Sequence, residues 1–358
     1  MLTRVEILGP TAANIARAAE RLATGRLVAM PTETVYGLAA DARDERAVAR
    51  VFELKRRPRD HPLIVHLASV DEVPDWADHP PAALARLGEV FWPGPLTVVL
   101  GRAAWVPSAV TGGQATVALR VPSHPVARQL LEAFGGALAA PSANRFGRVS
   151  PTTAQHVAAE FPDADLLVLD GGPSIVGLES TILDLSGAAP RLLRPGGVNL
   201  EEVEAVLGVR VLPAGAEPAA PRAPGGLPSH YAPSAPVRLV GSAELGTDAA
   251  LLGGNGPEAP VRVAVLALRP PPPGFGGVWE QLPADARGYG AELYAALRRL
   301  DAERPREILV ERVPDLPAWL AVRDRLQRAS AREPAASVVD ATGPVLAGGS
   351  RRAREDVG

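Results

Sequence analysis

Apolar and polar positions alternate with two different periods between residue 11 and about residue 207. Segments whose apolar residues recur at helical spacing predict helices at Ala12–Ala23, Glu45–Lys55, Ala82–Phe91, Pro125–Phe134, Thr152–Glu160 and Leu200–Leu207. Short β-rich runs bounded by turn residues predict strands at Arg26–Met30, Leu63–Leu67, Leu96–Leu100, Thr116–Val121, Leu166–Leu169, Ser180–Leu185 and Arg191–Leu193. This alternation indicates an α/β domain.

A proline-rich segment separates this part of the chain from a second one. Seven of the 24 positions from Pro213 to Pro236 are proline, which predicts an extended, semi-stiff connector. Beyond it, the strand-like runs VRLV, VRVAVLAL and EILVERV accompany helical patterns near Ala284–Glu303 and Ala318–Ser330. We expect a smaller Rossmann-like α/β unit there. The predicted domains are 8–207 and 237–345, joined by a linker at 208–236.

Composition narrows the class of protein. With 358 residues, of which 47% are apolar and 22% charged, the chain is long enough for two globular domains. A formal charge of −3 provides no basic field for nucleic acid or for an anionic membrane, so we expect neither stable nucleic-acid binding nor a membrane partner. The absence of cysteine excludes disulfides, thiolate metal sites and cysteine nucleophiles. No apolar run has the length of a signal or a membrane span, and we expect a cytoplasmic protein.

Several common catalytic templates do not occur in the sequence. The one lysine, Lys55, follows Leu54, so there is no Walker A loop. No G-x-G-x-x-G opens a helix after a strand, no G-x-S-x-G elbow occurs, and the six histidines never have H-E-x-x-H spacing. The usual nucleotide, hydrolase and metalloprotease signatures are therefore excluded.

The basic cluster LKRRP at the end of the second predicted helix is the first candidate site. Lys55 lies there beside Arg56 and Arg57, whereas the other 36 cationic residues of the chain are all arginine. A favourable interaction with the helix dipole, worth a few tenths of a kcal/mol, explains such a cluster without any function. Alternatively, a compact ammonium suits a point contact with phosphate and a guanidinium suits a bidentate one, so Lys55 and Arg57 together fit a polyphosphate.

The stretch APSANRFGRVSPTT is the second candidate. Ser150 before Pro151 predicts a helix start, with the hydroxyl as cap and the proline in the first turn. Capping alone accounts for this pattern. The functional interpretation is a neutral cradle for phosphate oxygens, formed by free N–H groups together with Ser142, Asn144 and Ser150.

Three further segments combine polar residues with turns. PTETVYGLAADA follows a predicted strand, GLESTILDLSG opens one, and RLLRPGG places Arg194 before a glycine turn. Turn punctuation and ordinary polar strand ends explain each segment taken alone. Their order along the chain is more specific than any single one.

Eight segments, taken in sequence order, resemble the YrdC-like domain of the threonylcarbamoyl-AMP synthase family. They are PTETVYGL, the K-x-R of LKRRP, HPLIVH, FWPGPLT, VALRVP, APSANRFGRVSPT, GLESTILD and LLRPGG. The resemblance covers roughly residues 8 to 207. HYAP in the connector and the later LYAALRRLD and AVRDRLQRA resemble the long form of the family, which has an additional C-terminal domain. The resemblance implies an N-terminal domain with a twisted mixed sheet flanked by helices, and a smaller C-terminal Rossmann-like α/β domain.

The resemblance also implies a reaction and a set of site residues. L-Threonine, bicarbonate and ATP would give threonylcarbamoyl-AMP and pyrophosphate, and other tRNA-modification proteins would accept the adenylate. The implied catalytic residues are Lys55, Arg57, Ser142 and Asn144. The implied ATP contacts are Lys55, Arg57, His61, Thr116, Ser142, Ser150, Arg194 and Tyr231. The implied L-threonine contacts are Thr34, His66, Arg120, Ala140 and Ser180. Mg²⁺ on the phosphates is expected by analogy, with no protein metal ligands.

Two segments depart from the family pattern. Arg59 and His61 stand where the family usually has Ser and Asn, so the implied ATP contact at position 61 is a histidine in place of an asparagine. In the connector, Gly226, Leu227, Pro228 and Ser229 replace the usual P-G-M-K-Y-R context and leave His230-Tyr231 as the expected lid contacts. Two other functions stay open: an RNA-binding module of the tRNA-modification pathway, and carbamoyl transfer to another acceptor.

Overall fold

A computed structural model describes residues 5–213, 220–226, 229–245 and 263–331. The connector positions Leu227 and Pro228 lie outside the described residues, as do residues 332–345 of the predicted second domain. In the described part of the chain, no helix is long and apolar enough to cross a membrane.

The first part of the chain forms one large mixed sheet. Its strands are β1 (Glu6–Leu8), β2 (Val28–Met30), β3 (Gly37–Asp41), β4 (Ile64–His66), β5 (Leu96–Gly101), β6 (Thr116–Arg120), β7 (Leu138–Ala139), β8 (Leu167–Leu169), β9 (Thr181–Asp184) and β10 (Arg191–Arg194). Their order across the sheet is β1-β8-β2-β3-β7-β4-β6-β5-β9-β10. The sheet contains parallel pairs, such as β4 with β6, and antiparallel pairs, such as β5 with β6.

Helices cover this sheet. They are α1 (Ala12–Ala23), α2 (Glu45–Lys55), α3 (Val73–Trp76), α4 (Ala83–Phe91), α5 (Ser108–Thr111), α6 (Pro125–Phe134), α7 (Ala154–Glu160) and α8 (Leu200–Leu207), with a 3-10 turn at Val70–Glu72. Two groups of buried apolar residues form the core: α2, α4, α7 and α8 contribute to one, and α1 and α6 to the other. The predicted twisted mixed sheet with flanking helices is confirmed.

Helix α2 ends at the basic cluster for local reasons. Asp44 caps its start, with its side chain accepting a hydrogen bond from the Arg46 amide at 2.8 Å. At the other end Arg56 has a left-handed backbone with φ 54°, which terminates the helix. Lys55, the last helical residue, lies on the same buried face as Val48, Val51 and Phe52, and it is 2% exposed.

The predicted helix start at Ser150 is wrong. Helix α7 begins at Ala154, and its cap is Thr153, which accepts a hydrogen bond from the His156 amide at 3.2 Å. The carbonyls of Pro151 and Thr152 are instead bonded to the amides of Tyr36 and Ser174, and these bonds hold this segment extended. The Ser150 hydroxyl therefore does not cap a helix, and it donates to the Glu179 carboxylate instead.

The second part of the chain forms a smaller parallel sheet. Its strands are β11 (Val237–Val240), β12 (Val263–Ala267), β13 (Val278–Gln281) and β14 (Glu307–Glu311), in the order β11-β14-β12-β13. Helices α9 (Ala286–Ala302) and α10 (Leu320–Ser330) pack on it, and a 3-10 turn at Pro317–Trp319 precedes α10. All three strand pairs are parallel, as expected for a Rossmann-like unit.

Candidate active site

A small cavity opens where the strands of the large sheet meet the connector. Its volume is about 50 Å³. The predicted residues that line it are Thr34, Lys55, Arg57, His66, Arg120, Ala140, Ser142, Asn144, Ser180, Arg194, Tyr231 and the expected lid contact His230. The other lining residues are Thr32, Val35, Gly37, Ile64, Pro141, Phe146, Glu179, Pro224 and Gly225. Positions spread over two hundred residues of sequence therefore face one space.

Lys55 organises the loop that follows β7. Its Nζ donates to the carbonyl of Ser142 at 2.6 Å and to that of Asn144 at 2.5 Å. Burial, and then the nearby positive charge of Arg57, lower the pKa of Lys55 well below its usual value. An ammonium has three donors, so one remains for another acceptor.

Arg57 lies beside Lys55 and is also buried. Its guanidinium donates to the Pro62 carbonyl at 2.9 Å and lies 5.5 Å from the Phe146 ring centre, within the range of a cation–π contact. Burial lowers the pKa of Arg57 to about 10, so the group is charged at neutral pH. No acidic side chain among the described residues pairs with it.

Arg194, at the end of β10, joins the sheet to the connector. It donates to the Ser180 carbonyl from Nε at 3.2 Å and to the Pro224 carbonyl at 3.0 Å. Burial is the main reason that its pKa is lowered. Arg194 therefore holds the connector against the opening of β9.

The opposite wall of the cavity has a different arrangement. Arg120 donates to the Glu33 carboxylate at 2.6 Å, to the Thr34 hydroxyl at 2.9 Å and to the Gly94 carbonyl at 3.2 Å. His66 lies next to Arg120, and burial followed by the Arg120 charge lowers its pKa to about 3. The imidazole of His66 is therefore neutral at pH 7.

Several buried polar atoms at this cavity have no hydrogen-bond partner among the described residues. They are Arg57 Nε, His66 Nδ1, Asn144 Oδ1, His230 Nδ1 and Tyr231 Oη. Buried polar groups are normally paired, because an unpaired one costs about 1–3 kcal/mol. Their convergence on one cavity indicates a binding site for a polar ligand.

Three predicted ATP contacts do not line the cavity. Ser150 is fully buried behind it, and its hydroxyl donates to Glu179 at 2.6 Å. His61 packs edge-on against the Phe146 ring with 5.4 Å between ring centres, and burial and Arg57 lower its pKa. Thr116 begins β6 and points to the same sheet face as Arg120, four residues further on. The structure therefore brings Ser150 and His61 next to lining residues.

Glu179 is the main lining residue that the sequence analysis did not assign. Its carboxylate is buried and accepts hydrogen bonds from Ser150, Tyr294 and Arg325. Burial alone would raise its pKa, but the charges of Arg325 and Arg194 and these bonds hold the pKa at about 2. The only sequence signal is its place in GLEST, because its partners are distant in the chain.

Comparison with known proteins gives consistent matches for both parts of the chain. The family described as "Telomere recombination" matches residues 20–196, and "Threonylcarbamoyl-AMP synthase, C-terminal domain" matches residues 198–331. The threonylcarbamoyl-AMP synthase of Pyrococcus abyssi is 42% identical over 322 residues, covering 86% of this chain and 91% of the relative. That of Bacillus subtilis is 38% identical, covering 88% of this chain and 92% of the relative.

A solved structure agrees with these relatives. The crystal structure of Pyrococcus abyssi Sua5 complexed with L-threonine superimposes with a TM-score of 0.82 and 38% identity, covering 91% of this chain and 97% of that chain. Both family matches, the relatives and the shared two-part architecture lead to one assignment. The chain belongs to the threonylcarbamoyl-AMP synthase family.

Proposed function

We propose that the cavity binds ATP and L-threonine side by side and forms threonylcarbamoyl-AMP and pyrophosphate from L-threonine, bicarbonate and ATP, for tRNA modification. The supporting observation is the convergence of buried cations and unpaired polar atoms on one cavity. The related Pyrococcus abyssi protein was solved with L-threonine, which supports an amino-acid subsite here. We assign this reaction to the predicted catalytic domain, residues 8–207.

The chemistry needs two bond changes. The threonine amine attacks the carbon of bicarbonate and water leaves, giving a carbamate. A carbamate oxygen then attacks the α-phosphorus of ATP, and the bond to the leaving pyrophosphate breaks. Both partners in this second step are anionic, so electrostatic repulsion is the main obstacle. Lys55, Arg57 and Arg194 would offset it, because preorganised donors stabilise developing charge, each worth roughly 10²- to 10³-fold in rate.

Each phosphate-side residue has a distinct proposed role. Lys55 fixes the 142–144 loop with two donors and offers the third to a phosphate oxygen. Arg57 offers its unpaired Nε. Ser142 and Asn144 supply uncharged contacts, and Ser150 and His61 support the neighbouring Glu179 and Phe146.

The threonine side is proposed to recognise the amino acid with Arg120, Thr34, His66, Ala140 and Ser180. The guanidinium fork of Arg120 matches a carboxylate. Its bonds to Glu33 and Thr34 fix the direction of that fork. Neutral His66 offers an unpaired ring nitrogen for a hydroxyl or an amine.

The connector is proposed to act as a lid. Four residues of the connector line the cavity: Pro224, Gly225, His230 and Tyr231. His230 and Tyr231 are buried against the site, so the connector would move outward to admit the nucleotide. When it returns, Tyr231 closes on the nucleotide and excludes water that would hydrolyse the carbamate or the adenylate.

Mg²⁺ is proposed to enter as part of the MgATP substrate. No cluster of three or more His, Asp or Glu side chains suited to a metal ion occurs within the described ranges. Glu179, the carboxylate that lines the cavity, is already bonded to Arg325, Tyr294 and Ser150. The residues therefore do not form a resident magnesium site, and we assign no catalytic step to one.

Downstream, we propose that the adenylate passes to other tRNA-modification proteins in the cytoplasm. One assay tests the central proposal: pyrophosphate release from ATP, measured with and without L-threonine and bicarbonate. Release that requires both substrates is expected. Release independent of threonine would contradict the synthase reaction, and RNA binding without any release would favour the RNA-binding alternative. Transfer of the carbamoyl group to an acceptor other than threonine would favour the carbamoyltransferase alternative.

A further inference from the structure

The C-terminal domain reaches into the proposed ATP site through two side chains. Tyr294 of α9 donates to the Glu179 carboxylate at 2.9 Å, and Arg325 of α10 donates to the same carboxylate at 2.7 Å. Glu179 itself lines the cavity. A carboxylate of the catalytic domain is thus held by groups from the other domain.

Arg325 contacts residues in three parts of the chain. The residue is 1% exposed, although it is a large cation. Besides Glu179, it donates to the Pro195 carbonyl at 2.9 Å and to Asp324 at 2.5 Å. Its guanidinium lies 5.0 Å from the centre of the Tyr231 ring, which is within cation–π distance. One side chain therefore joins the catalytic domain, the connector and the C-terminal domain.

The same two residues support Tyr231. Its ring stacks on that of Tyr294, with 5.7 Å between centres and 25° between planes. Tyr231 has a left-handed backbone with φ 63°, a conformation that costs a non-glycine residue roughly 1–2 kcal/mol and must be held by its surroundings. Its hydroxyl is buried beside the cavity and has no hydrogen-bond partner among the described residues.

We propose that Arg325 and Tyr294 are positioning residues through which the C-terminal domain holds Tyr231 and Glu179 in place to bind ATP. This inference rests on the proposed function, because it assumes that Tyr231 closes on the nucleotide. Arg120, the proposed partner of the threonine carboxylate, is held separately by its contacts with Glu33, Thr34 and Gly94. Loss of the C-terminal contacts should therefore weaken ATP binding selectively.

Attachment of the two domains does not depend on Arg325 alone. Arg298 of α9 donates to Glu160 at 2.9 Å and to the Val149 carbonyl, and Arg148 pairs with Asp301 at 3.4 Å. These contacts cross the same junction, and none of these residues lines the cavity. Arg298→Met is consequently a matched control, since it removes an interdomain arginine–glutamate pair outside the cavity.

The test compares the binding of two ligands by calorimetry. Full-length wild-type protein and the variants Arg325→Met, Arg325→Lys, Tyr294→Phe and Arg298→Met are titrated with a non-hydrolysable ATP analogue and, separately, with L-threonine. We expect Arg325→Met to raise the Kd of the ATP analogue at least tenfold and that of L-threonine less than twofold. Tyr294→Phe keeps the ring stack but removes one bond to Glu179, so we expect a two- to fourfold rise for the ATP analogue only.

Two results would overturn the inference. Equal losses for both ligands would indicate general destabilisation, and unchanged ATP affinity in folded Arg325→Met would show that the contact is irrelevant. Wild-type ATP affinity in Arg325→Lys would support the inference, because a cation beside Glu179 and Tyr231 would then be sufficient. If Arg325→Met does not fold, Tyr294→Phe decides by the same ratio. A wild-type protein that makes no threonylcarbamoyl-AMP would refute the proposed function, whereas an active wild type with insensitive variants would refute this inference alone.

Discussion

The two walls of the cavity differ in whether their buried cations pair with a carboxylate. On the threonine side, Arg120 is neutralised by Glu33 at 2.6 Å. On the phosphate side, Lys55, Arg57 and Arg194 donate to backbone carbonyls, and none of them pairs with a carboxylate within the described ranges. Burial lowers the pKa of all three phosphate-side cations.

This difference follows from the charge of each proposed ligand. A triphosphate has several negative charges, so cations without a directly bonded carboxylate on that wall would regain favourable interactions when ATP binds. Threonine is a zwitterion, and a paired Arg120 can still offer its free N–H groups to the carboxylate without excess charge. The comparison predicts that the two walls respond in opposite ways to the removal of an arginine.

Arg120→Met should produce the largest effect, a loss of roughly 3–5 kcal/mol in the free energy of unfolding, because it leaves the buried Glu33 carboxylate without its cationic partner and with only the Ser123 amide bonded to it. Denaturant unfolding measures this change. Combining the change with Glu33→Gln should recover part of the loss, as in a double-mutant cycle. A single variant as stable as the wild type would mean that Glu33 does not depend on Arg120.

Arg57→Met should have the opposite signature. The free energy of unfolding should stay the same or rise, because the variant removes a buried cation that has no acidic partner among the described residues. Meanwhile kcat/KM for ATP should fall about 10²-fold, since one preorganised donor is lost. Steady-state pyrophosphate release and denaturant unfolding test both parts. A strongly destabilised Arg57→Met would refute the proposed contrast between the walls.

Much of the fold was predictable from local pattern. Helices α1, α2, α6 and α8 have the predicted bounds, because each combines amphipathic spacing with clear start and stop residues. Strand β3 was not predicted. Gly37–Asp41 reads GLAAD, which shows no strand periodicity. It is a strand because it pairs with β2 on one side and with the distant β7 on the other.

The residues of the candidate site also differ in whether local sequence could reveal their roles. Lys55, Ser142 and Arg120 belong to motifs whose resemblance to a family gave their roles, and the structure places them on one cavity. Glu179 was not assigned, because its meaning depends on Tyr294 and Arg325, which lie 115 and 146 residues away in the chain. Contacts between domains leave no periodic signal in a single sequence.

The threonine wall should also be sensitive to acid. The pKa of His66 is about 3 in the folded protein, against 6.5 when solvated. Between these values the unfolded chain binds a proton that the folded protein excludes, so stability falls as the pH drops below 6.5, by about 2 kcal/mol at pH 5 from this group. His66→Gln should flatten the dependence of unfolding free energy on pH from 7 to 5. An unchanged slope would contradict the buried neutral state.

Among the substitutions in the two walls, Lys55→Arg should have the smallest effect, because it keeps the charge on the phosphate wall. The ammonium fits between the Ser142 and Asn144 carbonyls at 2.6 and 2.5 Å, whereas a planar guanidinium is larger and would shift the loop or Arg57. We expect kcat to fall about tenfold, which corresponds to about 1.4 kcal/mol, with the fold intact by circular dichroism. Arg56→Lys, at the adjacent exposed position, is the control and should leave kcat unchanged. Wild-type turnover in Lys55→Arg would show that this wall requires positive charge but not a compact ammonium.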